Sequence, residues 1–444
     1  MSINLKIRLL FLLMAPCLGL RAQDSTLIGA PLKWDIRQCI AYAKKNNIQI
    51  NSLRLNQAIS RQEYLLAQAS RLADLSGSAS QNFSHSGTGN NNNGSGSHFL
   101  ASGNYGLSSS VTLFNGGYIN NNIAQKNLAV ESASLNVIQQ ENDITLQITQ
   151  AYLAVLLDKE NVIYNNDVVA TSQAQLKQYQ QKYNVGAIAR KDLIQLQAQL
   201  ATDQYNLVSA RNAERQDLLT LKQLLLLPTD ARFDIVRPDT IAPANAATPL
   251  HDAEAIALQT RPEVKSSQLG VDIARYDVKK ARAGYLPFLS AGASLNTGYN
   301  TGNGSYLNQL NNNFNQQIGL TLSVPIFTKR QVKTQVEEAK IGVDQAKLNL
   351  QDTRVVLSQE VERAYINVQN AQEQYNAAQE EFKFNQESYR IANEQLRVGV
   401  ANMVEFLQQK NLYIQAQQQY IQAKYNALLS LKIYDFYKGV PIKL

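Results

Sequence analysis

Residues 317–327 read QIGLTLSVPIF, and this stretch sets the fold class. Its apolar residues occupy every second position, and the residues between them are mostly polar or small. The apolar positions are Ile318, Leu320, Leu322, Val324 and Ile326. A period of two predicts a β-strand with one apolar face and one polar face.

Three further segments repeat this alternation, at 289–295, at 105–113 and, less regularly, at 75–83. They predict two β-hairpins, at about 75–114 and 287–327, whose connections are rich in Gly, Asn and Ser and should be exposed loops (84–99 and 299–313). Strands of ~9 to 11 residues with this pattern suit a transmembrane β-barrel, apolar outside and polar inside. A half-buried sheet in a soluble domain shows the same alternation, so the surrounding sequence must distinguish the two.

Aromatic residues gather at the opposite ends of these strands, where the chain continues into predicted helices. They are Phe114, Tyr285, Phe288 and Phe327. This placement favours an aromatic girdle at a membrane interface. For any one of these residues, packing against its own helix is an equally good interpretation.

Two very long segments, 115–183 and 329–396, contain no proline and little glycine. Each suffices for a helix of ~100 Å at about 1.5 Å per residue. Their apolar residues form narrow stripes among polar ones, such as Ile144, Ile148, Tyr152 and Val155, or Val355, Leu357, Val361 and Ala364. A stripe wide enough for only one neighbouring helix predicts coiled-coil walls around water.

The chain is internally duplicated, because it aligns with itself at an offset of 213 residues that pairs Leu113 with Ile326 and Val185 with Val398. Each unit is predicted to run helix, strand, loop, strand, very long helix, tight turn, helix. The first repeat covers 23–227, with a helical hairpin at about 115–226 and its tip near 184–190. A proline-bearing linker at 228–249 leads to the second repeat at 250–438, with a helical hairpin at about 328–437 and its tip near 397–403. Residues 439–444 form a tail.

The N-terminus predicts export. Lys6 and Arg8 precede an apolar run at 9–20, which reads as a signal peptide over 1–22. No other run approaches the ~20 apolar residues of a membrane helix. A lipid anchor at Cys17 is disfavoured, since Pro16 stands where a small residue is normally needed. The remaining thiol, Cys39, is expected to be a small buried residue.

Charge and histidine usage exclude several functions. The formal net charge is +7, and loss of the three basic residues of 1–22 lowers it to +4, which does not suggest a nucleic-acid partner. His85, His98 and His251 are scattered, and no nucleophile–base or metal-ligand spacing occurs. We therefore expect no enzyme activity, no metal site and no cofactor.

The strand count predicts an oligomer. Four strands cannot close a barrel, which needs at least about eight. An open sheet edge in lipid leaves backbone groups without partners. The count alone permits a dimer or any larger assembly.

Several short motifs occur in a fixed order along the chain. They are Tyr183-Asn184-Val185-Gly186 followed by Asp192-Leu193, Val398-Gly399 followed by Glu405-Phe406, and RPEV at 261–264, AGYLP at 283–287 and VPIF at 324–327. Together they resemble the TolC-like outer-membrane factor (outer membrane efflux protein) family over the whole mature chain. The resemblance implies a homotrimer with a twelve-stranded barrel in outer-membrane lipid, continued by a periplasmic helical tunnel.

The same resemblance implies a passive exit channel of a tripartite efflux pump or a type I secretion system. Its expected partners are a periplasmic adaptor and an inner-membrane RND or ABC transporter. The adaptor-docking tips would be formed by Val185, Gly186, Val398 and Gly399. Both glycines suit the left-handed conformation that ends a helix.

The pore gate implied by the resemblance comprises Glu405, Gln408 and Asp192. Gln408 stands where the family often has a second acidic residue. Leu396 and Ala401 replace a tyrosine and an arginine that would lock the gate, which predicts a single, lightly locked acidic ring. Glu405 has an alternative role, since Asn402 can cap the following helix and Glu405 lies three residues on, as in a capping box.

A second hypothesis is a coiled-coil structural or adhesion protein of the cell envelope without a pore, because amphipathic, Gln-rich helices alone would serve it. The alternating strands favour the channel. The predicted pore wall is generically polar, which is compatible with drugs, metal ions or secreted proteins as substrates.

Overall fold

The computed structural model describes residues 32–86, 98–238, 248–301 and 305–442. The predicted signal peptide and Cys17 lie outside these residues, as do most of the loop at 84–99 and the last two residues of the tail. The first half contains β1 (Leu32–Trp34), α1 (Ile36–Asn46), α2 (Ile48–Ala69), β2 (Ser76–Ser86), β3 (His98–Asn115), α3 (Tyr118–Asn184), α4 (Arg190–Leu224) and β4 (Phe233–Ile235).

The second half repeats the central part of this order, from the split helix to the helical hairpin, with an additional helix between its two strands. It contains α5 (Leu250–Thr260), α6 (Pro262–Ala283), β5 (Phe288–Asn300), α7 (Tyr306–Asn312), β6 (Asn315–Ser323), α8 (Gln331–Val398) and α9 (Met403–Tyr437). Helices α3 and α8 are 67 and 68 residues long, and each folds back on a helix of 35 residues. At about 1.5 Å per residue the two long helices extend ~100 Å, as the missing prolines predicted.

The helix that opens each unit is split in two. Asn47 accepts hydrogen bonds from the backbone N–H groups of Gln49 and Ile50, which ends α1 and begins α2. Arg261 separates α5 from α6, where Pro262 fits the first helical turn because its missing N–H would have no partner there.

One antiparallel sheet joins the two halves in the order β2-β3-β5-β6. Its register places residues of like polarity side by side, so that Leu107 pairs with Leu295 and Ser108 with Ser294. The apolar face is open in the single chain, where Ile318 is 88% exposed and Leu320 is 70% exposed. The four strands contain no Asp, Glu, Lys or Arg, so the polar face is neutral.

The strand ends differ from the prediction. Strand β6 ends at Ser323, so Val324 and Ile326 continue the alternation in sequence but lie outside the strand. Pro325 lacks the N–H that the next ladder hydrogen bond requires. Strand β3 begins at His98, seven residues before the segment that alternates clearly, and has an irregularity between Thr112 and Phe114. Its extra residues pair with β2, a long-range contact.

Two segments predicted to be irregular contain regular structure. The connection at 299–313 includes α7, and the linker at 228–249 includes β4, which pairs in parallel with β1. The β4 residue Phe233 is buried beside the ring of Trp34, at 5.5 Å between centroids. The prolines of 228–249 predict a linker. Residues of β4 nevertheless form a strand, because they are buried and pair with the distant β1.

The main core surrounds the middle of α3 and joins α1, α4, β4 and α9. Cys39 is wholly buried in it, as expected, and burial together with the nearby Asp35 carboxylate raises the pKa of its thiol to about 12. The stripe predicted on α8 is correct for Leu357, Val361 and Ala364, which are buried, and wrong for Val355, which is 47% exposed. Two residues apart on a helix, Val355 and Leu357 point in nearly opposite directions.

The described residues contain no helix that is both long and apolar enough to cross a membrane.

Candidate functional site at the hairpin tips

The two hairpin turns have the same backbone construction. Gly186 and Gly399 take φ values of +76° and +79°, which confirms the predicted left-handed conformation. In the second turn, the N–H of Val400 donates to the Gln395 carbonyl at 2.9 Å, while the N–H of Gly399 donates to the Leu396 carbonyl. This is the Schellman arrangement, which satisfies the last carbonyls of a long helix.

The return helices begin differently. The Asn402 side chain accepts a hydrogen bond from the Glu405 N–H at 2.9 Å and caps α9. Ala189 at the same place before α4 provides no side-chain cap, and Asp192 in the first turn is the acidic residue available to favour the helix N-terminus. The backbone N–H of Glu405 thus takes part in capping α9. The Glu405 side chain is exposed.

A small apolar core holds the two tips together. It contains Tyr179 of α3, Leu196 of α4, and Met403 and Phe406 of α9, all buried. Outside this core, Val185, Val398 and Val400 are exposed by 78%, 62% and 78%. Apolar side chains thus stand open to solvent at the very ends of both hairpins.

The predicted gate residues do not come together within one chain. Glu405 and Gln408 lie three residues apart on α9 and are exposed, turned away from Met403 and Phe406. Asp192 is half-buried near Tyr179, whose pKa is raised mainly by burial and secondly by the Asp192 charge. Among the described residues no hydrogen bond or ion pair joins Asp192 to Glu405, so a shared ring would need other copies of the chain.

A buried polar cluster, which the sequence reading missed, lies behind the tips. The ammonium of Lys410 on α9 is 2.9 Å from Oδ2 of Asp203 on α4, and both side chains are almost fully buried. Ser172 of α3 donates to the same carboxylate oxygen and accepts from Lys410, while Gln199 donates to Oδ1 at 2.9 Å. The cluster ties three helices together. Its signal in the sequence is one charged residue within the apolar stripe of α4 and one within that of α9.

An aromatic ladder, also missed, runs along the second hairpin. Residues seven apart on α8 face residues seven apart on α9, and the rings of Tyr389 and Tyr413 stack at 5.0 Å with 9° between their planes. The members are Tyr375, Phe382 and Tyr389 of α8 with Phe406, Tyr413 and Tyr420 of α9. At the equivalent positions the first hairpin has Val162, Val169, Leu176, Leu193, Leu200 and Leu207. The duplicated units therefore differ in how their helices are joined.

The fold, a two-faced sheet continued by two long helical hairpins, is that of known outer-membrane channels. A crystal structure of CusC matches with a TM-score of 0.78 at 17% identity, over 94% of this chain and 96% of that one. The Campylobacter jejuni CmeC channel matches with a TM-score of 0.73 at 19% identity, over 91% of this chain and 85% of CmeC. The open MtrE channel of Neisseria gonorrhoeae matches with a TM-score of 0.73 at 17% identity, over 91% of this chain and 89% of MtrE.

The chain belongs to the outer membrane efflux protein family, whose sequence profile matches residues 39–225 and 255–432. It is therefore an outer-membrane protein with a periplasmic extension. Outer membrane efflux protein BepC of Brucella suis is 25% identical over 331 residues, 72% of this chain and 65% of BepC. Alkaline protease secretion protein AprF of Pseudomonas aeruginosa is 27% identical over 212 residues, which are 45% of this chain and 41% of AprF. The chain spans less than two thirds of the length of these relatives.

Proposed function

We propose that this chain is the subunit of a passive exit channel in the outer membrane, with three copies forming a twelve-stranded barrel continued by a helical tunnel. The observation that carries the proposal is the two-faced sheet. Its apolar face is exposed, its polar face is uncharged, and its two edge strands, β2 and β6, leave backbone groups unpaired. Pairing β6 of one copy with β2 of the next would close the sheet, as lipid requires.

The proposed pore wall is chemically neutral. Its serines, threonines and asparagines, such as Ser78, Asn104, Ser294 and Thr321, alternate with the outer residues along every strand. Hydroxyl and amide groups keep the lumen wet without holding an ion of either sign. Charge selection in such a channel would fall to the helical part, where acidic and basic side chains are numerous.

Three of the four aromatic residues at the helix-side ends of the strands support the proposed membrane position, whereas Phe288 alternates in phase with Ser290 and pairs with Ser323 on the polar face. Phe114, Tyr285 and Phe327 are exposed by 47%, 51% and 82%. Aromatic rings left open at one level of a sheet suit an interface between lipid and water. In this arrangement α3 and α8 extend from that level into the periplasm.

The exposed tips are the proposed docking site for a periplasmic adaptor. Val185 and Val398 offer apolar surface, while Gly186 and Gly399 make the tight turns that bring it to the end of each hairpin. An inner-membrane RND or ABC transporter would supply the energy for export through the passive channel. Both an efflux pump and a type I secretion system fit, because the relatives include an outer membrane efflux protein, BepC, and an alkaline protease secretion protein, AprF.

Glu405 is the proposed acidic ring of the gate, with Gln408 and Asp192 beside it. Three Glu405 carboxylates brought near one axis would repel one another and attract cations. Their exposure in the single chain supports a role toward the lumen or a partner. The Gln408 amide adds no charge, so closure would rest on one ring.

Substitutions of two adjacent residues on opposite faces of β6 distinguish the proposed channel from an envelope protein without a pore. Leu320→Lys places a charge on the proposed lipid face and should cost about 2–4 kcal/mol near the bilayer midplane, so insertion into the outer membrane should fall. Thr321→Lys places it on the lumen face, so the protein should insert and its conductance in planar bilayers should shift toward anions. Equal insertion of both variants, or a wild-type protein without conductance, would contradict the proposal.

A further inference from the structure

Helix α7 interrupts the outer connection between β5 and β6, and its side chains pack on the sheet. The Tyr306 ring meets the Tyr299 ring edge-on at 4.6 Å between centroids. The Thr297 hydroxyl donates to the Leu310 carbonyl at 2.5 Å, and the Asn313 amide donates to the Gly298 carbonyl at 2.7 Å. These contacts hold α7 in one place against the end of the sheet that is remote from the long helices.

Tyr299 identifies a face that α7 contacts. In β5 it alternates in phase with Leu295 and Ala293, so it belongs to the apolar face. Its ring lies across Gly103 of β3, where a Cβ would come within 2.5 Å of a ring carbon, and its hydroxyl accepts a hydrogen bond from Gln81 of β2. A ring that crosses three strands makes a firm platform for Tyr306. Helix α7 therefore meets the apolar face through Tyr306 and Leu310, while Gln309 and the adjoining Asn313 line a pocket with residues of the polar face.

The apolar surface continues from the sheet onto α7. Phe314, just before β6, shares a shallow groove with Leu107 and Leu295 on the apolar face and is 50% exposed. Leu307 on α7 is 73% exposed. From Leu322 to Phe314 the strand extends roughly 27 Å at ~3.4 Å per residue, or about 20 Å along a membrane normal for a typical strand tilt. Phe314 thus lies toward the outer limit of an apolar band of ~25 Å, and Leu307 belongs to the helix that immediately precedes it.

Charge and hydrogen bonding at this level fit the same boundary. Residues 288–328 contain no Asp, Glu, Lys or Arg, so no charged side chain opposes entry into a low-dielectric layer. Tyr105 and Tyr306 share a side-chain hydrogen bond, and Tyr299 holds Gln81, so the polar tips of these residues have partners. Amphipathic tyrosines beside exposed leucine and phenylalanine are found where acyl chains meet headgroups.

We propose that α7, with Leu307 and Phe314, is an outer-leaflet anchor that inserts its apolar side chains at the boundary between acyl chains and headgroups. The inference rests on the proposed channel, because it takes the apolar face of the sheet to be the lipid face. The anchor would fix the depth of the barrel at its outer rim, while the aromatic residues near Phe114 and Phe327 would do so at its inner rim.

Tryptophan placed at Leu307 tests the anchor. Leu307→Trp protein is reconstituted in vesicles of phosphatidylcholine brominated either near the headgroup or deep in the acyl chain. The expected result is loss of most of the added emission with the shallow label and a smaller loss with the deep label. The wild-type chain gives the baseline, since its single tryptophan, Trp34, lies in β1 outside the four-stranded sheet.

Two further variants separate the anchor from the channel. Leu320→Trp, in the middle of the apolar face, should be quenched most by the deep label, and Ser80→Trp, on the polar face near the outer end, should not be quenched. If Leu320→Trp is quenched and Leu307→Trp is not, the anchor is wrong and the channel stands. Blue-shifted but unquenched Leu307→Trp emission would place α7 against another copy and also overturns the anchor. If Leu320→Trp is not quenched, the lipid-facing sheet itself fails.

Discussion

Lys410 and Asp203 form a buried ion pair, with 2.9 Å between Nζ and Oδ2 and side chains only 3% and 2% exposed. The pair joins α9 of the second repeat to α4 of the first, and Ser172 connects both to α3. Taking two charges out of water is expensive, and good hydrogen bonding offsets the cost only while both partners are present. The pair therefore penalises any arrangement of the three helices that separates it.

Removing one charge should destabilise the helical bundle more than removing both. Lys410→Met leaves the Asp203 carboxylate buried and should lower the free energy of unfolding by about 3 kcal/mol, the lower end of the usual range because Ser172 and Gln199 still donate to it. Lys410→Met combined with Asp203→Asn should recover most of the loss. Denaturant midpoints in detergent measure both. An unchanged free energy of unfolding in Lys410→Met would show that burying the unpaired Asp203 carboxylate costs nothing.

Backbone strain at the second tip can be isolated. Gly399 has φ +79° and nothing lies within 4 Å of an added Cβ, so Gly399→Ala should cost about 1–2 kcal/mol through conformation alone. Hydrogen exchange of the Val400 N–H, which donates to Gln395, should accelerate accordingly. The matched control is Gly342→Ala, in the first third of α8 and also in open space, which should stabilise that helix by roughly 0.5–1 kcal/mol. Equal effects at both sites would contradict this account.

Asp158 should make stability depend on pH. Burial, and then the charge of Asp217, raise the pKa of its carboxyl to about 6 from 3.8. A raised pKa means that the folded state binds the proton more tightly, so the stabilisation is complete below about pH 4 and is lost as pH rises to about 6. Asp158→Asn should flatten this profile and add about 1 kcal/mol at neutral pH, a value reduced for solvent screening because the group is only half-buried.

The matched control for Asp158 is Asp167→Asn, an exposed carboxylate on the same helix, which should leave the profile unchanged. The measurement is the thermal midpoint in detergent between pH 4 and pH 8. Persistence of the full pH dependence in Asp158→Asn would assign it to another group.

Glu405 should govern ion selectivity if its carboxylates form the proposed ring. Glu405→Gln keeps the backbone N–H that Asn402 caps, so the helix start should be preserved, while cation selectivity in planar bilayers should fall. Glu394→Gln removes an exposed carboxylate that is already paired with Arg397 at 2.8 Å, and should leave selectivity unchanged. Unchanged selectivity in Glu405→Gln would refute the ring and would leave position 405 as a capping element only.

Much of the fold is readable from local pattern. The alternation around Ile318 and Leu320 predicts the strand because side chains of a strand point alternately to two faces. Gly186 and Gly399 predict the hairpin tips, since ending a helix often needs a left-handed residue. Along the long helices, Ile144 and Ile148 predict the buried stripe. Each of these features depends on residues within a few positions of one another.

Features that join distant segments could not be read in this way. Strand β4 forms because its backbone pairs with β1, and α7 is ordered by Tyr299 and Thr297 of the sheet. Val355 belongs to an apolar run yet faces solvent, because the helix places it opposite Leu357. The gate residues Asp192 and Glu405 were placed by family resemblance, and one chain does not bring them together.

The sequence by itself determined the duplicated order of elements, the two faces of each strand and the positions of the tips, because these follow from the short-range periodicity of the chain. The contact of Lys410 with Asp203 and the packing of Tyr306 on Tyr299 of the apolar face became visible only in the folded chain. Those contacts depend on the rotation and register of helices and strands packed against one another. Many residues set that register together, and no local pattern records it.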